Sequence, residues 1–231
     1  WGSYGSIGLF GGLKNATIKN LTIENVTIED AAMDLAIRES LGISADAPIL
    51  TSDLWKISNF AVPADATNYD AFRYMTNLVS LSIESGVAQQ LFQISAMKSL
   101  KELSIKNTAV SSEVMETIAS MTSLEKLTLS GCGITSIRAL STLTKLTELD
   151  ISNNTIRSLE PISTIQGLKT LNCKQNVIVD LTPLESTSNL TQLDISYNAV
   201  TTLEAIGNLS ALTLIEANNN GITELGNIGN L

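Results

Sequence analysis

The chain of 231 residues contains no histidine. The commonest general base and the commonest metal-binding side chain are therefore both missing. Two cysteines are too few for a disulfide framework. No run of 18 apolar residues occurs, which excludes a membrane-spanning helix in this sequence. Basic residues are the minority, 14 against 23 acids, for a net charge of -9. With no basic patch, nucleic acid and anionic membrane are excluded as partners. Aromatics are only 4% of residues, so the side chains that anchor tight protein interfaces are scarce. The apolar share of 44% is that of a folded protein, which excludes disorder.

What the sequence does contain is a repeat. Leu78, Leu100, Leu124, Leu146, Leu168, Leu190 and Leu212 are spaced by 22 residues, apart from one interval of 24. Apolar residues recur three and five positions on, as in Leu146, Leu149, Ile151 and Leu190, Leu193, Ile195. Eight positions on stands asparagine: Asn154, Asn176, Asn198 and Asn220. The stretch L-x-x-L-x-L holds a period-two segment suited to a strand with one buried face. An asparagine after it can pair the backbone groups that a tight inward bend leaves unmatched. The apolar spacings of two or three that follow, as in Ile156, Leu159, Ile162 and Ile165, suit a short 3₁₀-like return. No single unit can cover its own apolar side. Stacking buries a continuous core and lines up one strand per unit in a parallel sheet. Seven strands about 4.8 Å apart make a surface roughly 30 Å long.

These residues resemble the 22-residue leucine-rich repeats of bacterial internalins, over residues 77–231. The resemblance implies an α/β leucine-rich repeat solenoid, right-handed, with a parallel sheet on its concave face. Three units depart from the pattern. The asparagine position is Gly86, Thr108 and Cys132 in the first three, so those turns should be tied less tightly. The long unit carries SSEVMETIASM, which reads as a true helix: Ser111 or Ser112 caps it, and Val114, Ile118 and Met121 share one face. Cys132 and Cys173 fall two units apart and are expected as separate buried thiols.

Eight of the ten aromatics lie before residue 77, which marks a compositional boundary. Residues 29–76 read as an N-terminal helical cap covering the open end of the solenoid. Asp30 can cap a helix with Met33, Ile37 and Leu41 on one face and Gly42 as its stop. Thr51, Ser52 and Asp53 start a second short helix, and a third segment covers residues 69–75. Trp55, Phe60, Phe72 and Tyr74 are expected in the core of the cap. Residues 1–28 form a short β leader, with Ile18, Leu21, Ile23, Val26 and Ile28 alternating. Together IGLFGG and TIKNLTI resemble the GLUG motif of bacterial surface proteins. The leading glycines lack the Lys-Ser/Thr of a phosphate loop and serve as turn glycines. The sequons at Asn15, Asn20, Asn25, Asn153, Asn189 and Asn208 follow from Asn/Thr-rich composition. The sequence starts at Trp1 and stops mid-pattern, so it reads as part of a longer protein whose uncapped end continues or packs end to end.

The solvent-facing strand positions are the binding candidates: Glu102, Lys106, Lys126, Glu148, Asp150, Asn172, Lys174, Gln192, Asp194 and Glu216, with Tyr197 at the rim. Ser130, Ser152 and Ser196 are read as exposed on the same face. Family members often bind proteins there, so a protein or glycan ligand is what the resemblance implies. The face is polar and mixed in charge, with six acids, Glu84 among them, against three lysines. Asp150, Asn172 and Asp194 stack in one row. With Glu148 the row offers oxygens to a calcium ion or to sugar hydroxyls, or it is an ordinary hydrated ladder. No metal or cofactor is called for. An open face gives carboxylates no pocket to split their pKa values, and serine has no histidine to activate it, so no catalysis is expected. The reading is a non-catalytic interaction module, cell-surface or secreted in a bacterium by resemblance. The alternatives are a rigid spacer or an intracellular regulatory scaffold.

Overall fold

The computed structural model describes residues 24–86 and 88–230. Helices α1 (Ala31–Leu41) and α2 (Thr51–Leu54) come first. Strands follow at β1 (Asn59–Val62), β2 (Ser80–Glu84), β3 (Glu102–Lys106) and β4 (Lys126–Ser130). Then come β5 (Glu148–Asp150), β6 (Thr170–Asn172), β7 (Gln192–Asp194) and β8 (Leu214–Glu216). All eight pair in parallel, each with its sequence neighbour, in one sheet. The return segments are 3₁₀ turns, as the three-residue spacing predicts, for example Arg138–Thr142, Glu160–Thr164 and Thr182–Ser186. The long unit is the exception: α3 (Ser112–Ala119) is a true helix, capped by the Ser111 hydroxyl accepting the Val114 N–H at 3.2 Å.

The core is one continuous stack. Leu127, Leu149, Leu171 and Leu193 are register partners in successive strands, each 1–2% exposed. Each leucine packs between its counterparts above and below, so the interior is a column of identical side chains. Cys132 and Cys173 lie in this interior as free thiols. Burial pushes the Cys132 thiol up to about 11 and that of Cys173 higher still, which leaves both protonated at neutral pH.

One strand is additional to the seven of the repeat. β1 lies inside the segment read as helical, and it pairs with β2 through Phe60↔Leu81 and Val62↔Ile83. Its period-two burial hides Phe60 and Val62. Phe60 meets Phe72 edge to face at 6.4 Å, and Tyr69 lies 5.3 Å from Phe72. Trp55 departs from expectation: it is 46% exposed, because it follows Leu54 at the end of a four-residue helix that has only one buried position. Tyr74 is half-buried. Of the leader, Val26 and Ile28 pack against the core, and Val26 N–H donates to Ile49 O at 2.8 Å. The GLUG-like stretch lies outside the described residues.

Asp30 ties α1 to the segment that follows β1. Its Oδ1 accepts the Met33 N–H at 2.9 Å, capping α1, and Gly42 ends the helix at φ 64°. Its Oδ2 accepts the N–H groups of Thr67 and Asn68 and the Thr67 hydroxyl, at 2.6, 3.1 and 2.9 Å. Partial burial pushes the carboxyl up, but these hydrogen bonds outweigh it and hold the group below 3.8. The pKa is therefore lower in the folded than in the unfolded chain. The stability it contributes is complete above 3.8 and is lost as the pH falls through the lowered folded value. Asp30→Ala is expected to cost about 2 kcal/mol near neutral pH, more than a bare cap because a loop is released with it. Urea unfolding at pH 7 and pH 3 checks this: the gap between wild type and variant should shrink in acid.

Gly86 stands at the asparagine position because tyrosine has filled the space. A Cβ on Gly86 would lie 2.5 Å from the Tyr69 hydroxyl and 2.5 Å from Ile83 Cγ2. Tyr69 is fully buried and cannot swing out. Gly86→Ala is expected to destabilise by about 2 kcal/mol through overpacking, read as a lower urea midpoint with unchanged slope. The double variant with Tyr69→Phe should recover part of the loss.

Candidate interaction face

The asparagines hold the turns that present the face. Asn154 Oδ1 accepts the N–H groups of Cys132 and Ile134, both at 3.0 Å. Its Nδ2 donates to the carbonyls of Leu129, Ile151 and Ser152 at 2.7–2.9 Å. Asn176, Asn198 and Asn220 repeat the scheme one unit further each time. The substitutes do less. Thr108 accepts the Gly86 N–H at 2.7 Å and donates to Lys106 O at 3.0 Å. The Cys132 thiol points at Ile105 O at 3.2 Å.

A second row has no counterpart in the sequence reading. The residue before each ladder position takes a left-handed backbone: Ser85, Asn107, Gly131, Asn153, Gln175, Tyr197 and Asn219, with φ of 51–66°. Glycine and asparagine tolerate this region at low cost, whereas tyrosine does not. The Asn-Asn pairs at 153–154 and 219–220 carried the signal, but Gln175 and Tyr197 concealed it.

The row Asp150, Asn172 and Asp194 is built as expected, each the register partner of the next. The Oδ1 of each accepts the N–H two residues on, at 2.9, 3.1 and 2.8 Å. Those N–H groups leave the strand ladder, so β5, β6 and β7 stop after three residues where β2, β3 and β4 run for five. The early strands carry Ser82, Ser104 and Thr128 in that row and continue. This shortening overturns the exposure of Ser152 and Ser196. They are 4% and 1% exposed, because the chain has already turned inward there. Ser152 instead shares a 2.9 Å hydroxyl bond with Ser130, which is half-buried rather than exposed.

The remaining candidates line the open sheet face. Glu102, Lys126, Glu148, Gln192 and Glu216 are exposed, and Lys106, Asp150, Asn172, Lys174 and Asp194 are half-buried. Charges at the first strands are matched across rungs. Lys126 lies 3.0 Å from Glu148 and 3.9 Å from Glu102, and Lys106 lies 3.1 Å from Glu84. The hydrogen bond that Lys126 donates to Glu148, and then the Glu148 charge, raises the Lys126 pKa. A shallow depression of about 420 Å³ runs over β2–β6, floored by Ser82, Ser104, Thr128 and Asp150. Tyr197 stands 50% exposed at the rim, with Lys174 Nζ 5.5 Å above its ring. Among the described residues no three acidic or cysteine side chains converge on one point as a metal site would require. No helix among them is long and apolar enough to cross a membrane.

The family profile described as Leucine Rich repeats (2 copies) matches residues 122–164 and 146–186. No curated protein sequence matches the chain. Solved structures do. Internalin C2 of Listeria monocytogenes superposes with a TM-score of 0.80 at 24% identity, covering 87% of this chain and 89% of that one. The internalin InlF of the same organism gives 0.60 at 20% identity, covering 85% of this chain and 75% of that one. InlP, also from Listeria monocytogenes, gives 0.60 at 20% identity, covering 82% of this chain and 57% of that one. Repeat, ladder and superposition agree: this chain has the leucine-rich repeat fold seen in the internalins.

Proposed function

We propose that this chain is a non-catalytic interaction module of a bacterial cell-surface or secreted protein, and that a partner protein docks on the open sheet face. The observation that carries this reading is the face itself. Eight strands in fixed register hold solvent-facing side chains at about 4.8 Å intervals, with no element among the described residues lying over them. Such a preorganised surface loses little conformational entropy on binding. The face is a broad shallow depression rather than an enclosed pocket, which suits a macromolecular surface better than a small substrate.

A rigid spacer is the second reading. The cross-rung pairing of Lys106 and Lys126 favours it, because charges already matched within the chain offer less to a ligand. An array of extracellular proteins and glycans separates the readings. It is probed with the wild type and with a variant carrying Lys126→Ala, Asp150→Ala, Lys174→Ala, Asp194→Ala and Tyr197→Ala. Docking on the face predicts protein signals that weaken at least about tenfold in the variant. Signals confined to glycans would replace the protein partner with a glycan. Equal signals from both chains would favour the spacer. A signal peptide or wall anchor in the full gene would separate either from an intracellular scaffold.

A further inference from the structure

Every one of the 14 lysines and arginines lies at or before residue 174. Beyond Lys174 the sequence holds six acids, Asp180, Glu185, Asp194, Glu204, Glu216 and Glu224, and no cation. The open face shows the same polarity. At its β2–β4 end the acids have lysine partners, and the central row carries hydroxyls. At its β7–β8 end Asp194 and Glu216 are register partners, and among the described residues neither is in an ion pair. Like charges directly opposite one another across adjacent strands repel, a cost that a bound cation would relieve. Asp194 also acts through the sheet, adding to the burial that raises the Cys173 thiol.

Beside this end stands Tyr197. Its backbone is held left-handed at φ 59°, a position that asparagine fills two units earlier at Asn153 and one unit later at Asn219. Its ring is half exposed, and the chain's last cation, Lys174, is seated over it at 5.5 Å. The ring is thus already placed to receive an ammonium or guanidinium group, with Lys174 as the internal stand-in. Leu214, 48% exposed on β8, offers an apolar contact for the aliphatic stem of a long basic side chain.

From this we infer that the β7–β8 end of the open face docks a lysine- or arginine-rich polypeptide segment, whose side chains meet Asp194 and Glu216 while one stacks on Tyr197. The inference rests on the docking reading above and adds the partner's chemistry and the end of the face that it uses. The complementarity is electrostatic, so it acts on encounter rate and falls with salt.

Fluorescence anisotropy with a labelled nona-arginine peptide tests it, with nona-glutamate as control. At about 50 mM salt a micromolar complex is expected with nona-arginine and none with nona-glutamate. Asp194→Asn with Glu216→Gln should weaken it about tenfold, and the matched pair Glu84→Gln with Glu102→Gln by less than about twofold. Tyr197→Phe should leave affinity within about twofold, Tyr197→Leu should lose about fivefold, and Lys174→Gln should gain about threefold by removing the competing cation. All are surface changes, and thermal melts report whether each variant is folded. The inference is overturned by no complex, by equal losses from the near and distant acid pairs, or by indifference to Tyr197→Leu. Salt-independent binding of a neutral oligosaccharide at this end would also overturn it. If the array supports docking on the face and the peptide fails, this inference alone falls.

Discussion

Asn176→Ala is expected to lower the unfolding free energy by about 3 kcal/mol. The side chain is 8% exposed and meets two turns at once. Its Oδ1 accepts the Ile156 N–H at 2.9 Å. Its Nδ2 donates to Ile151 O at 2.9 Å, Cys173 O at 3.1 Å and Lys174 O at 3.3 Å. Alanine leaves these backbone groups buried and unmatched, and each then carries its full desolvation cost. Asn220 makes the corresponding bonds from Nδ2 to Ile195 O and Ala217 O, but it is half-buried. The site is half open, so water can enter in place of the lost amide, and Asn220→Ala should cost less than about 1 kcal/mol. Asn176→Asp keeps the shape and the acceptor but loses the donors, and should be no more stable than the alanine variant. Urea unfolding of the three variants settles the order. Equal losses at positions 176 and 220 would mean that desolvation is not what the ladder relieves.

The repeat was legible because stacking forces every unit to solve one packing problem with the same residues. Leu149, Leu171 and Leu193 share an environment, so they share an identity and a spacing. The caps of α1 and α3 were legible for a local reason. Asp30 and Ser111 act within three residues of themselves, and such contacts leave their mark on contiguous sequence. β1 was hidden because its register is set by β2, a partner some twenty residues on, and NFAV is too short to show a period. Gly86 read as a lapse in the ladder. Only the fold brings the Tyr69 hydroxyl into the vacant place, from 17 residues earlier in the chain.

The candidate face was legible as a set of positions and less so as a surface. Alternation assigns the sheet-facing side chains, and Glu102, Lys126, Glu148, Gln192 and Glu216 are exposed as it requires. Where alternation stops is a matter of hydrogen bonding. An aspartate or asparagine in the central row captures an N–H and turns the chain, which carries Ser152 and Ser196 inward. A hydroxyl there lets the strand run on. The left-handed row was missed because backbone conformation is written in sequence only where glycine or asparagine answers it, and Tyr197 does not.

Leu149→Ala is expected to cost about 3–4 kcal/mol, and its consequence should reach beyond the site. Leu149 is 1% exposed and lies between Leu127 and Leu171 in the column. Neighbouring strands are fixed by backbone hydrogen bonds on both sides, so they cannot close around the void, and the loss should sit in the upper part of the usual range. In a solenoid each unit touches only its neighbours, and cooperativity is carried by the interfaces between them. Weakening a central interface should therefore separate the two halves as well as lower the total. The urea transition is expected to move to lower midpoint with a shallower apparent slope, as two-state behaviour gives way. Leu149→Met conserves volume and should cost less than about 1.5 kcal/mol while keeping the slope. Leu214 occupies the same sheet but points to solvent and is 48% exposed, so Leu214→Ala should change stability by less than about 0.5 kcal/mol. An unchanged slope in Leu149→Ala would show that the stack unfolds as one block, held by backbone pairing more than by the leucine column.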